Sequence, residues 1–135
     1  MYTHTTLKGL HDAELTAFDV DRNDKLIKLS FCTEDAVPWT LELQGFTALR
    51  GVDLIHQNVV SRFLASSEFN FSEHDLEYWI KWVNSLTEAN DLISDEQIDN
   101  YKKKILSGSL MLIVLEPSLG FEFAAICRAF SLTSN

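Results

Sequence analysis

The stretch from His11 to Phe46 constrains the fold most, because apolar and polar residues alternate along three successive runs within it. Successive side chains of a strand point to opposite faces, so this alternation is typical of strands with one face toward solvent. Residues 22–24 and 33–35 supply turn-forming side chains between the runs. The stretch therefore predicts an antiparallel meander of three strands. Its inward-facing residues are Phe18 and Val20, then Ile27, Leu29 and Phe31, then Val37, Trp39, Leu41 and Leu43.

Two later segments carry the signature of a helix start. Ser72 and Ser94 each place a hydroxyl at an N-cap position, followed three residues later by an acid or an amide, as in a capping box. Apolar residues then recur at helical spacing. This pattern predicts one helix from Glu73 to Leu86 and a second that follows Ser94 and ends at Gly108. Residues 87–93 are predicted to link the two helices.

The C-terminal part of the chain predicts a hairpin. Leu110–Leu115 and Phe121–Leu132 are apolar runs on either side of a loop at residues 116–120. Continuous apolar runs are typical of strands that are buried on both faces. We expect the two helices to cover one face of this hairpin. Residues 52–65 or a second copy of the chain are expected to cover the other face.

The segments outside these elements have weaker patterns. Residues 1–10 are expected to form a loosely held arm. Residues 47–51 predict a connector with one helical turn, and a strand is expected within Asn58–Leu64. Together these patterns predict a single α+β domain over residues 1–135, with an antiparallel sheet of five to six strands, built from the N-terminal meander and the C-terminal hairpin, and two inserted helices.

The charge of the chain bears on its partners. Eleven Lys and Arg residues against twenty Asp and Glu residues give a net charge of −9, which repels phosphate backbones and anionic lipid. We therefore expect neither nucleic-acid nor membrane binding, and no apolar run approaches the roughly 18 residues of a membrane span. A basic protein partner would complement such a surface, although solubility alone also explains the charge. Cys32 and Cys127, without an export signal, predict reduced thiols in the cytoplasm.

His11, Asp12 and Glu14 bring an imidazole and two carboxylates together just before the first strand. Their functional interpretation is an acid–base pair or part of a binding site. On a strand, however, Asp12 and Glu14 share one face while His11 lies on the other, so the three groups would not converge by themselves. The alternative is that hydrogen bonds from these side chains fix the start of the sheet.

His56 and Asn58 lie at a second junction, and with His11 and His74 they raise the possibility of an assembled site. No two of these histidines have the spacing of a metal-binding pair. The chain also lacks a phosphate-binding glycine loop, a nucleophile elbow and a Cys-x-x-Cys pair. We therefore predict no catalytic residues, no metal and no cofactor.

Tyr78 and Trp82 lie off the main apolar stripe of the first predicted helix. Aromatic residues beside a cation such as Lys81 are common in protein interfaces. A tryptophan at this position can equally widen the core-facing stripe of the helix. Both interpretations stay open at this stage.

Short motifs resemble those of a known group of proteins. The opening Leu10-His11-Asp12-Ala13-Glu14-Leu15, followed by Gly45-Phe46-Thr47-Ala48-Leu49 and Gln57-Asn58-Val59-Val60, is similar to small uncharacterised bacterial proteins, some of which resemble immunity proteins of polymorphic toxin systems. This resemblance implies an α+β sheet protein without assigned catalytic residues. The helical insert from Ser72 to Gly108 departs from the shortest members of that group.

Two hypotheses about function follow. The first is a non-enzymatic interaction module, an acidic inhibitor or immunity-type protein that binds a basic partner. The alternative is a small-ligand-binding protein or enzyme with a pocket near His11, Asp12 and His56. A homodimer is compatible with both hypotheses.

Overall fold

The computed structural model describes residues 10–85 and 93–134, which form one antiparallel sheet and two helices. The α+β class is confirmed, but the sheet has eight strands and is larger than the predicted five to six. The elements in chain order are β1 Glu14–Asp21, β2 Leu26–Cys32, β3 Pro38–Gln44, β4 Ala48–Val52, β5 Val59–Ala65, α1 Glu73–Val83, α2 Asp95–Ser107, β6 Met111–Leu119, β7 Glu122–Cys127 and β8 Ala129–Ser134.

The predicted meander is present as β1, β2 and β3. Each strand pairs antiparallel with the next, and Pro38 stands at the first position of β3, where its missing N–H removes no bond from a central ladder. Ile27, Leu29 and Leu41 face inward and are fully buried, as the alternation predicted. Val37 is a departure, because it lies before β3 and is exposed.

Two extra strands account for the larger sheet. β4 forms where the sequence predicted a connector with a helical turn, and it pairs along its length with β7. The predicted second arm of the hairpin, Phe121–Leu132, divides at Arg128 into β7 and β8. Gly45, at a φ of 66°, makes the corresponding break between β3 and β4, and the Arg128 side chain occupies the space that a Cβ at Gly45 would need.

The sheet curves around one core, and within the described residues its end strands β4 and β8 do not pair with each other. β3 and β4 follow each other closely along the chain, as do β7 and β8, and β3 pairs with β8 while β4 pairs with β7. On the opposite side β1 meets β5 in a short contact, where Glu14 pairs with Val59 and the Val60 N–H donates to the Ala13 carbonyl at 2.9 Å. Strands on both sides of this short contact contribute side chains to the same core.

Side chains of β6 and β7 divide between two cores. Ile113, Leu115 and Phe123 point into the curled sheet, whereas Leu112 and Val114 point toward the helices. The predicted two-sided burial of the hairpin is therefore confirmed. The predicted segment 52–65 contributes Val60, Phe63 and Ala65 to the inner core, and side chains of β2, β3 and β8 complete it.

The two helices lie on the outer face of the sheet and begin at the predicted caps. The Ser72 hydroxyl accepts from the Asp75 N–H at 3.1 Å, and Ser94 and Gln97 form a reciprocal capping box. α1 ends at Val83, before the predicted end at Leu86, which lies outside the described residues together with most of the predicted linker. Neither helix of residues 10–85 and 93–134 has the length and apolar character needed to cross a membrane.

Lys102 connects the two helices. Its ammonium group donates to Glu77 at 3.2 Å and lies 3.7 Å from Glu73, so one α2 cation bridges two α1 carboxylates. The hydrogen bond from Lys102 lowers the pKa of Glu77, and the same contact raises the pKa of Lys102. Both carboxylates are well exposed to solvent, so this bridge orients the helices more than it stabilises them.

Candidate functional site

His11 and Asp12 mark the seam where β1 meets β5. The His11 Nδ1–H donates to the Ser61 carbonyl at 2.8 Å, and its Nε2 lies 3.4 Å from an Asp12 carboxylate oxygen. The Asp12 N–H donates to the Val60 carbonyl at 2.8 Å, with Asp12 itself at a φ of 65°. The hydrogen bond to Ser61 holds the His11 imidazole against the backbone of β5 and so fixes the start of the sheet. The His11 side chain remains exposed to solvent.

An open groove of about 380 Å³ lies beside this seam. Three carboxylates line it, and none of its described lining residues is basic. β1 supplies Glu14, the segment before β1 supplies Asp12, and the β2–β3 turn supplies Glu34. We name this feature the acidic groove, and its lining residues are Asp12, Glu14, Cys32, Thr33, Glu34, Gln57 and Val59.

The side-chain amide of Asn58 is buried and forms hydrogen bonds with backbone groups of the protein. Asn58 is 6% exposed, and its Oδ1 accepts from the Ile55 N–H and from the Phe121 N–H, both at 3.0 Å. Its Nδ2 donates to the Ile55 carbonyl at 2.7 Å. Asn58 therefore closes the turn before β5 and ties it to the loop between β6 and β7, where a Cβ at Gly120 would collide with Oδ1.

Among the histidines that the structure describes, His11, His56 and His74 belong to no group that could hold a metal ion. His56 is exposed in the segment between β4 and β5, and His74 is exposed in the first turn of α1. Across the described residues no three His, Cys, Asp or Glu side chains form a group that could hold a metal ion. The carboxylates of the acidic groove are included in that finding.

The two aromatic candidates on α1 have different environments. Trp82 is 6% exposed and packs in the core beneath the helices, with the Arg50 guanidinium 4.6 Å from the centre of its ring. Arg50 also donates to the Trp82 carbonyl at 3.1 Å. Tyr78, in contrast, is 48% exposed and meets Trp79 edge to face. Of the pair, Tyr78 alone presents a large surface to a partner.

The two thiols differ in burial. Cys127 is fully buried inside the curled sheet, and its burial raises the pKa of the thiol to about 12. A protonated, enclosed thiol is not a nucleophile at neutral pH. Cys32 is half-buried on the wall of the acidic groove, and its Sγ lies 3.6 Å from the Thr33 carbonyl.

The chain matches no protein-family model, no curated protein and no solved structure. Its own geometry is therefore the basis for interpreting the site. The similarity to immunity-type proteins stays a prediction.

Sequence reasoning named Asp12 and Glu14 but missed Glu34 and Gln57, which complete the acidic groove. A signal for Glu34 was present in the sequence. A hairpin closed by the turn at residues 22–24 pairs Glu14 with Cys32, and this register places the following turn next to Glu14. Gln57 had no comparable signal, because its position depends on the contact between β1 and β5.

Proposed function

We propose that this chain is a non-enzymatic interaction module that binds a basic protein partner, in the manner of an inhibitor or immunity protein. The acidic groove is the observation that carries this proposal. It gathers Asp12, Glu14 and Glu34 around an open depression without a basic neighbour among its lining residues. The net charge of −9 adds a long-range attraction for a positively charged partner.

Electrostatic complementarity of this kind acts mainly on association. Carboxylates at an exposed surface increase the rate of encounter with a basic partner, and salt screens them over about 8 Å at physiological ionic strength. Binding should therefore weaken as salt increases. The open shape of the groove suits a protruding basic side chain or loop, since a broad depression leaves a small molecule exposed to solvent.

The alternative function, a small-ligand site around His11, Asp12 and His56, has less support. The His11 imidazole already donates to the Ser61 carbonyl, and His56 does not line the acidic groove. An acid–base pair needs both groups within reach of one substrate atom. The interaction module is therefore the better proposal.

A pull-down from the native host tests the proposal. The wild-type chain should recover a basic protein at low salt and release it as salt increases. The double variant Glu14→Gln/Glu34→Gln should bind that protein about ten-fold more weakly, because it removes two carboxylates from the groove. The matched control Glu96→Gln/Asp99→Asn makes the same change in net charge on the exposed surface of α2 and should bind like wild type.

Two results would contradict the proposal. One is the recovery of no protein partner at low salt. The other is equal retention of the partner by the groove variant and by the control, since that result would assign binding to net charge alone.

A further inference from the structure

The second half of β1 has an open edge. β1 meets β5 where Glu14 pairs with Val59 and the Leu15 N–H donates to the Asn58 carbonyl at 2.9 Å. A bulge follows between Leu15 and Ala17. Within residues 10–85 and 93–134, Thr16–Asp21 then pairs with β2 on one side and with no strand on the other. We name Thr16–Asp21 the β1 edge.

The Asn58 turn is the reason that pairing with β5 stops. If β5 extended backwards, residues before Asn58 would continue the ladder along the β1 edge. Instead, the hydrogen bonds between Asn58 and Ile55 fold this segment into a turn, and Asp53 adopts a φ of 62° just before it. Backbone N–H and C=O groups of the β1 edge that point away from β2 are left without a strand partner in the described structure.

Apolar side chains lie along the same opening. Phe18 lies across from the fully buried Leu29 and so points into the curled sheet, yet it is 39% exposed. Its ring lies 5.5 Å from that of Phe121, and Ile55, which is 49% exposed, reaches the space beside Gly120 next to Phe121. The β1 edge therefore borders an apolar patch that is continuous with the core.

The charge of the β1 edge distinguishes it from the other edges of the sheet. The β1 edge carries Asp19 and Asp21 and no basic residue, although Lys28 of β2 lies directly across from Asp19. The outer edges of β4 and β8 are also free of strand partners among the described residues. β4 carries Arg50, and β8 carries no charged residue.

We propose that the β1 edge receives an extended basic segment of the partner protein as an additional strand of the sheet. Backbone hydrogen bonds would supply affinity, and alternate side chains of the added strand would contact Phe18 and Ile55 on one face. Basic side chains on the other face would approach Asp19. A second copy of this chain fits less well, because each of the two β1 edges would bring two carboxylates, Asp19 and Asp21, to one pairing.

This inference rests on the proposed function and names the surface and the binding mode. The probe is an eight-residue peptide of alternating lysine and valine, blocked at both ends. A matched peptide carries N-methyl groups on alternate amides, which keeps the charge but prevents strand pairing. Both peptides are titrated at low salt into the full-length, ¹⁵N-labelled chain, with amide shifts and hydrogen exchange as readouts.

The unmodified peptide should shift amides of the β1 edge and of residues 53–57, and should slow hydrogen exchange at alternate positions of the edge. The N-methylated peptide should bind about ten-fold more weakly. Asp19→Lys should weaken binding of the unmodified peptide by a similar factor. The control Asp99→Lys, on the exposed surface of α2, makes the same change in net charge and should have less than about a two-fold effect.

Several outcomes would overturn the inference. Equal binding of the two peptides, with shifts confined to the acidic groove, would leave the proposed function standing and exclude strand addition. Slow exchange at all amides of the β1 edge in the free chain would show that the chain itself, or a second copy, already occupies it. Binding of neither peptide would also exclude the β1 edge as the binding surface for a basic strand. The pull-down tests the proposed function independently of this result.

Discussion

Replacement of Asn58 by alanine should destabilise the protein strongly for the loss of a single side chain. The side chain satisfies three backbone groups: the N–H of Phe121, and the N–H and C=O of Ile55. Alanine removes all three partners at once. It also releases the turn that ends the pairing of β5 with β1.

The magnitude follows from the burial of those three groups. The Phe121 N–H is buried, and a buried donor without a partner costs about 1–3 kcal/mol. The two Ile55 groups are part-buried, so water can replace the lost bonds at about 0.5 kcal/mol each. We expect Asn58→Ala to lower the free energy of unfolding by about 3 kcal/mol, a large share of the 5–15 kcal/mol typical of a domain.

Urea denaturation followed by tryptophan fluorescence measures this effect. A loss of about 3 kcal/mol moves the midpoint down by about 2 M at an m-value of about 1.5 kcal/mol per molar. Gln57→Ala, a neighbouring exposed residue, is the control and should change stability by less than about 0.5 kcal/mol. Asn58→Asp keeps both acceptor contacts and should lie between the two. A loss below about 1 kcal/mol for Asn58→Ala would refute the reasoning.

Three further predictions concern Gly120 and the two thiols. Gly120→Ala should lower the free energy of unfolding by about 2 kcal/mol or more in the same urea assay, because Gly120 has a φ of 82° and its Cβ would lie 2.9 Å from Ile55 Cγ1; an unchanged midpoint would contradict the close packing. Iodoacetamide should label Cys32 in the folded chain but should label Cys127 only after the chain is unfolded, since burial raises the pKa of Cys127 to about 12. Mass spectrometry identifies the labelled thiol. Because the unfolded thiol ionises first, from a pKa of 9.0, the contribution of Cys127 to stability should be lost as pH rises from about 9 to about 12, and Cys127→Ala should remove that loss.

Local patterns in the sequence determined much of the fold. The alternation in residues 16–43 predicted β1, β2 and β3 because a strand's two faces have different surroundings, whatever the rest of the chain does. Ser72, Ser94 and Gly108 marked helix ends because capping is satisfied by side chains and dihedral angles within a few residues. The continuous apolar runs of β6 and β7 likewise predicted that both faces of these strands are buried.

Features that depend on distant pairing were decided by the tertiary structure. Residues 48–52 form a strand because they pair with β7. The last apolar run is interrupted at Arg128, whose side chain fits in the space beside Gly45. The sequence marked Asn58 as a binding residue, yet its buried amide bonds to a residue 63 positions away. The acidic groove and the β1 edge arise at the same seam between β1 and β5. Periodicity and caps are set by neighbours in sequence, whereas a seam between two strands is set by how the whole sheet curls.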